Sequence, residues 1–119
     1  MARANPLVIV VEDDELQREV ASIVLEGCDV DVIPCETAEA ATAILESLSR
    51  KPAMIFTDVR LPGALSGADL AFLAREKFPE TRLLVTSGDK FPPVLPDGAR
   101  FMPKPWTAKE LVREAWALA

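Results

Sequence analysis

Leu7-Val8-Ile9-Val10-Val11 is an unbroken apolar run, four of its five residues β-branched, and Glu12-Asp13-Asp14 stops it at once. A strand with one wet face alternates apolar and polar residues. A run without alternation needs cover on both faces, which is the situation of an inner strand in a parallel sheet. Similar runs return at Ala53-Met54-Ile55-Phe56-Thr57 and Leu83-Leu84-Val85-Thr86, with helix-spaced stretches between them. Strands alternating with helices imply right-handed βαβ units, so the chain is predicted to be an α/β protein on a parallel sheet.

The punctuation between the runs supports this reading. Asp14, with Gln17 three residues on, has the pattern of a capping box that opens a helix, in which Leu16, Val20, Ile23 and Val24 share one face until Gly27. Val30 and Val32 alternate with Asp29 and Asp31, which predicts an edge strand. Thr37 is placed to cap a second helix with Ala41, Ile44, Leu45 and Leu48 as its apolar stripe. After Asp58 comes a loop with Pro62, Gly63 and Gly67, then a helix with Leu70, Leu73 and Ala74 inward. Pro92, Pro93 and Pro96 bar a helix interior from the stretch 89–98. Arg100-Phe101-Met102 predicts a short fifth strand ending at Pro103-Lys104-Pro105. Thr107 and Glu110 form a capping box for a last helix carrying Leu111, Val112, Ala115 and Leu118.

At 119 residues, with half of them apolar, the chain suits one domain over 1–119, with 1–5 as a short tail. A net charge of −6 disfavours nucleic acid and anionic membrane as partners. No run approaches the ~20 apolar residues of a membrane span, and the N-terminus is no signal peptide, so a cytoplasmic protein is expected. Cys28 and Cys35 bracket a strand whose extended length of roughly 23 Å exceeds disulfide reach, which leaves two buried, inert thiols. The chain has no histidine, which excludes a His-based acid–base triad, a His metal site and a phosphohistidine of its own.

In open parallel sheets polar chemistry gathers at the carboxyl ends of the strands. Here those ends carry Glu12-Asp13, Asp58, Ser87 and Lys104. Two carboxylates ~4 Å apart repel by roughly 4 kcal/mol at an effective dielectric of ~20, so three of them call for a cation. Hard oxygen ligands without His or Cys suit Mg²⁺. Lys104 offers a positive charge and Ser87 a hydroxyl to an incoming phosphoryl group, leaving Asp58 free to attack phosphorus. Taken singly, the acid run reads as a helix cap, Asp58 and Ser87-Gly88 as turn formers, Lys104 as a surface charge and Phe101 as core. Four strands each ending in a suitable polar group is what favours the chemical reading.

Four segments resemble the receiver domains of two-component response regulators: Val10-Val11-Glu12-Asp13-Asp14, Thr57-Asp58-Val59-Arg60-Leu61-Pro62, Val85-Thr86-Ser87-Gly88 and Phe101-Met102-Pro103-Lys104-Pro105-Trp106. The resemblance implies a doubly wound, flavodoxin-like five-stranded parallel sheet of order 2-1-3-4-5. It implies Asp58 as phosphoacceptor, with Glu12, Asp13, Asp58 and the backbone carbonyl of Arg60 around Mg²⁺. It also implies Ser87 and Lys104 as phosphoryl ligands, a cis bond from Lys104 to Pro105, and Ser87 with Phe101 as the switch pair. The phosphoryl donor is then a phosphohistidine on a sensor histidine kinase or phosphotransfer protein, and the output a protein partner. In this family the residues two after the acceptor and the Ser/Thr, here Arg60 and Asp89, tune hydrolysis; as an ion pair they would shield the pocket mouth. Two departures stand out. The loop after Asp58 is one residue longer than the common pattern. The connection 88–98 is short and proline-rich, which predicts a fourth helix reduced or absent and leaves the dimer mode open. The alternatives are an Mg²⁺-dependent phosphohydrolase with Asp58 as nucleophile, a pseudo-receiver that is never phosphorylated, or a receiver excised from a hybrid kinase.

Overall fold

The computed structural model describes residues 4–118. Its elements run β1 (Leu7–Val11), α1 (Glu15–Glu26), β2 (Asp31–Cys35), α2 (Ala38–Ser47), β3 (Met54–Asp58), α3 (Gly67–Lys77), β4 (Arg82–Ser87), β5 (Arg100–Pro103) and α4 (Ala108–Trp116). The strands form one parallel sheet of order β2-β1-β3-β4-β5. Residues 1–3 of the expected tail and Ala119 lie outside the described residues, and Ala4 and Asn5 are exposed.

Every residue of β1 and β3 is buried, as their unbroken apolar runs require. Alternation along the strands divides their side chains between two cores. On one face Ile9, Val11, Ile55, Leu83 and Val85 pack with Ala38, Ala41 and Leu45 of α2 and Leu70, Ala71 and Ala74 of α3. On the other, Val8, Val10, Met54, Phe56, Leu84 and Met102 pack with Ala21 and Leu25 of α1 and Leu111 and Ala115 of α4. β2 is an edge strand, where Pro34 can lack an amide without breaking a central ladder.

Several local expectations change. Asp14 caps α1 through the Gln17 amide, but the reciprocal half of the box is missing, because Gln17 turns its side chain to Lys104. The face of α1 that meets the sheet carries Ala21 and Leu25, while Leu16, Val20 and Ile23 are exposed by 69, 42 and 63 %. In α3 Ala71 is buried where Leu73 was expected, and Leu73 is exposed. Cys35 is buried as expected, but Cys28 is only half-buried. A capping box between Ser66 and Asp69 opens α3, a signal hidden by the glycine between them.

Between β4 and β5 the described chain holds no helix, in keeping with its three prolines. Leu95 and Ala99 pack on the α2/α3 core and Pro96 is buried, while Phe91 and Val94 face outward. The described residues thus form a five-stranded sheet with four helices.

Candidate functional site

The register brings the strand ends level. Val11 pairs with Thr57, Asp58 with Thr86, and Ser87 with Pro103. The residues that follow these pairs therefore converge on one edge of the sheet. Asp58 is the last residue of the central strand, flanked by the acidic turn after β1 and by Ser87 at the end of β4.

Glu12, Asp13 and Asp58 each offer a carboxylate oxygen, all within 4.8 Å of one another. Glu12 and Asp58 are buried, and Asp13 is exposed. The donor set is all oxygen, with no thiolate or imidazole, so it fits a hard divalent cation such as Mg²⁺. Arg18 fixes the acidic turn from α1, donating to the backbone carbonyls of Glu12 (3.0 Å) and Asp13 (3.4 Å). Sequence patterning missed this role, since Arg18 reads as an ordinary surface charge.

Lys104 reaches back across the sheet, its Nζ donating to Asp58 Oδ2 (2.6 Å), Gln17 Oε1 (2.9 Å) and Glu12 Oε1 (3.0 Å). Burial alone would lower the Lys104 pKa, but hydrogen bonds and charge from Asp58 and Glu12 outweigh it and hold the ammonium above its ordinary value. Burial raises the Glu12 carboxyl instead, despite hydrogen bonds from Lys104 and the Asp14 amide. The Lys104–Pro105 bond is cis.

Asp58 Oδ1 accepts from the Arg60 amide (3.2 Å). Behind it, the chain packs too closely for any side chain at position 67. The Gly67 amide donates to the Val59 carbonyl at 2.8 Å, and a Cβ on Gly67 would lie 1.7 Å from the Asp58 carbonyl oxygen. The loop between them is held by Glu39 of α2, whose carboxylate accepts from the Ala64 (2.8 Å) and Leu65 (3.3 Å) amides. Those bonds pull the Glu39 carboxyl below its ordinary pKa, and Gly63 passes beneath it with φ +99°.

Ser87 is buried, and its Oγ accepts from the Asp89 amide (3.1 Å). Strand alternation puts it on the same face as Val85, which pairs with Phe101; Phe101 is half-buried against the α2/α3 core. Arg60 and Asp89 form the ion pair expected of them, two-pronged at 2.9 and 3.0 Å. The Arg60 hydrogen bond, with its charge, holds the Asp89 carboxyl below the usual range. The structure thus gathers Glu12, Asp13, Asp58, Arg60, Ser87 and Lys104 at one edge, with Phe101 on the adjoining face, and adds Gln17, Arg18, Glu39 and Gly67.

Among the described residues no helix is long and apolar enough to cross a membrane. Solved receiver structures share the fold over nearly the whole chain. The receiver domain of the hybrid histidine kinase CckA is 26% identical, covers 94% of this chain and 97% of its own, and superposes with a TM-score of 0.81. The receiver domain of the response regulator NarL from Mycobacterium tuberculosis is 27% identical at 97% and 96% coverage, also at 0.81. A CheY-like receiver from Methanospirillum hungatei reaches 0.83 at 20% identity, over 95% of this chain and 92% of its own, which speaks for the fold alone. Among curated sequences, the two-component response regulator-like PRR37 of Oryza sativa subsp. indica is 35% identical over 63 residues, which are 53% of this chain but only 8% of the relative. The response regulator receiver domain model matches residues 8–115, and the chain belongs to that family of two-component signalling proteins.

Proposed function

We propose that Asp58 accepts a phosphoryl group from a phosphohistidine on a sensor histidine kinase or phosphotransfer protein, and that its loading switches a partner-binding surface. The observation that carries this reading is the setting of Asp58. It is a buried carboxylate at the end of the central strand, 2.6 Å from an ammonium and within metal-sharing distance of two further acids.

In the proposed transfer a carboxylate oxygen of Asp58 attacks phosphorus. The P–N bond of the donor breaks, and its electron pair returns to the imidazole nitrogen, which takes up a proton. Lys104, already at Asp58, pairs with one phosphoryl oxygen, and the Ser87 hydroxyl donates to another. Glu12, Asp13, Asp58 and the Arg60 carbonyl would hold Mg²⁺, which when bound neutralises charge on the transferred oxygens. Water later attacks the phosphorus of the acyl phosphate, the P–O bond to Asp58 breaks, and inorganic phosphate leaves with the carboxylate regenerated. The donor histidine lies outside this domain, because none of its 119 residues is a histidine. An open hollow of about 620 Å³ beside the site, lined by Leu16, Val20, Lys104, Pro105 and Trp106, gives a protein donor apolar surface to rest on. A cytoplasmic location goes with such a donor.

One observation weighs against a phosphohydrolase acting on small phosphomonoesters: position 60, two after the nucleophile, is Arg rather than the acid such enzymes place there. A pseudo-receiver is disfavoured because every matched position keeps a chemically competent residue.

The test is labelling with acetyl phosphate or a phosphorylated kinase in Mg²⁺, with EDTA as control. Wild type is expected to take up one acid-stable, base-labile phosphoryl group, and Asp58→Asn none. Stoichiometric labelling of Asp58→Asn would remove the assignment.

A further inference from the structure

An ammonium has three N–H donors, and Lys104 spends all three inside the site. Two go to carboxylates, Asp58 and Glu12. The third goes to Gln17 Oε1 at 2.9 Å, reaching in from the first turn of α1. Because Lys104 can only donate, the oxygen of the Gln17 amide is the end that faces it.

These acceptors differ in what else they can be asked to do. Asp58 is the proposed phosphoacceptor and Glu12 a proposed metal partner, so both have competing duties. Gln17 is neutral, and it leaves unmade the helix-cap bond that its position three after Asp14 would allow. The Asp14 amide donates to Glu12 Oε2 instead. The Asp14 side chain caps the Gln17 amide at 2.8 Å, which ties the Gln17 backbone down in the first turn, three residues after the cap. Gln17 also lines both the small cavity against Asp58 and the outer hollow beside Trp106. It is the one neutral acceptor that Lys104 can keep while its carboxylate partners change.

We infer that Gln17 is a positioning residue that holds Lys104 over Asp58 through phosphoryl transfer; this rests on the proposed role of Asp58. Without an acceptor at position 17 the flexible lysine stem loses its fixed point, and the ammonium spends less time where a phosphoryl oxygen arrives. The geometry of the acids is untouched, so the cation site keeps its affinity.

The test compares wild type, Gln17→Met and Gln17→Glu. Met fills a similar volume without a comparable acceptor, whereas Glu restores one; position 17 is exposed, so both variants are expected to fold. Labelling by acetyl phosphate is expected to slow about tenfold in Gln17→Met, the scale of one lost hydrogen bond to a charged group. It should return to within about threefold of wild type in Gln17→Glu. Mg²⁺ affinity, read by quenching of the Trp106 and Trp116 fluorescence, should be unchanged in Gln17→Met. The Lys104 ammonium should give a ¹⁵N resonance protected from exchange in wild type and Gln17→Glu but not in Gln17→Met. If wild type labels normally and Gln17→Met labels equally fast, the role of Gln17 is refuted while that of Asp58 stands. If wild type is not labelled at all, the reading of Asp58 fails and this one with it.

Discussion

Replacing Asp13 by Asn is expected to stabilise the protein in EDTA and to weaken it relative to wild type in Mg²⁺. Its carboxylate lies within 4.8 Å of those of Glu12 and Asp58. At that separation two unit charges repel by ~3.5 kcal/mol at an effective dielectric of 20 and by ~0.9 kcal/mol in water. Asp13 is exposed, so each pair belongs near the lower figure, and Lys104 offsets part of it. A net gain of about 1 kcal/mol follows, which is a rise of ~0.5 M in the urea midpoint for a domain of this size. With Mg²⁺ in excess, wild type gains by ligand linkage what Asp13→Asn largely loses, and the order of the two midpoints inverts. Asp58→Asn serves as the contrast. Charge crowding alone would give it the same gain in EDTA, but Asp58 also accepts from Lys104 at 2.6 Å, so its removal takes a partner from a half-buried ammonium. Its gain should be smaller than that of Asp13→Asn. A lower midpoint for Asp13→Asn in EDTA would show that the acids do not repel as argued.

Gly67→Ala should lower the thermal midpoint sharply, by a loss of more than ~2 kcal/mol, since its methyl group would meet the Asp58 carbonyl oxygen at 1.7 Å and Thr57 Oγ1 at 2.9 Å. An unchanged melting curve would contradict the close packing there. Arg60→Ala should leave stability nearly unchanged, because its pair with Asp89 is largely exposed, yet speed loss of the phosphoryl group several-fold by opening the pocket mouth. A dephosphorylation rate equal to wild type would count against that shielding. The two thiols should separate: half-buried Cys28 reacts with a thiol reagent at pH 8, while Cys35 waits for unfolding. Burial pushes the Cys35 thiol up to about 11, opposed by the charge of Arg18, from an ordinary 9.0. The folded pKa is raised, so the neutral thiol's contribution to stability is complete below pH 9 and is lost as pH climbs through 11. Equal labelling of both peptides by mass spectrometry at pH 8 would overturn this.

The parts legible in the sequence are those where a residue type has few other uses. Unbroken apolar runs such as Leu7–Val11 and Met54–Phe56 suit little except doubly covered strands, whereas the order of the strands in the sheet was implied by the family resemblance alone. Polar residues directly after such runs, Asp58 above all, stand where a parallel sheet exposes its strand ends. The inner face of α1 was only partly legible: Val24 packs on the core as expected, and the rest was hidden for a packing reason. Large residues at 16, 20 and 23 dominate any apolar pattern, yet helix and sheet approach closely only where the contact is small, and Ala21 with Leu25 supplies it. Gln17 was hidden because its partner lies 87 residues away, and a local cap rule had already claimed it. Glu39 was hidden likewise, its loop partners being 25 and 26 residues off.

The strand order explains why one lysine can govern the whole site. β1 and β3 are neighbours, so Glu12 and Asp58 emerge side by side, and nothing else on those two strands neutralises them. The compensating charge comes from beyond β5, two strands away from β3 and on the far side of β4. Lys104 therefore joins residues 92 and 46 apart in the chain, and its contacts exist only when the sheet is fully assembled. That placement makes the acid cluster costly in any partly ordered chain and tolerable in the native one. It also leaves the lysine's carboxylate bonds open to renegotiation, since an arriving phosphoryl group offers Lys104 a further anionic acceptor at the same place. Charges that burden the fold are thus the ones the proposed chemistry uses, a trade expected where a site is built from like charges held together by a single opposite one.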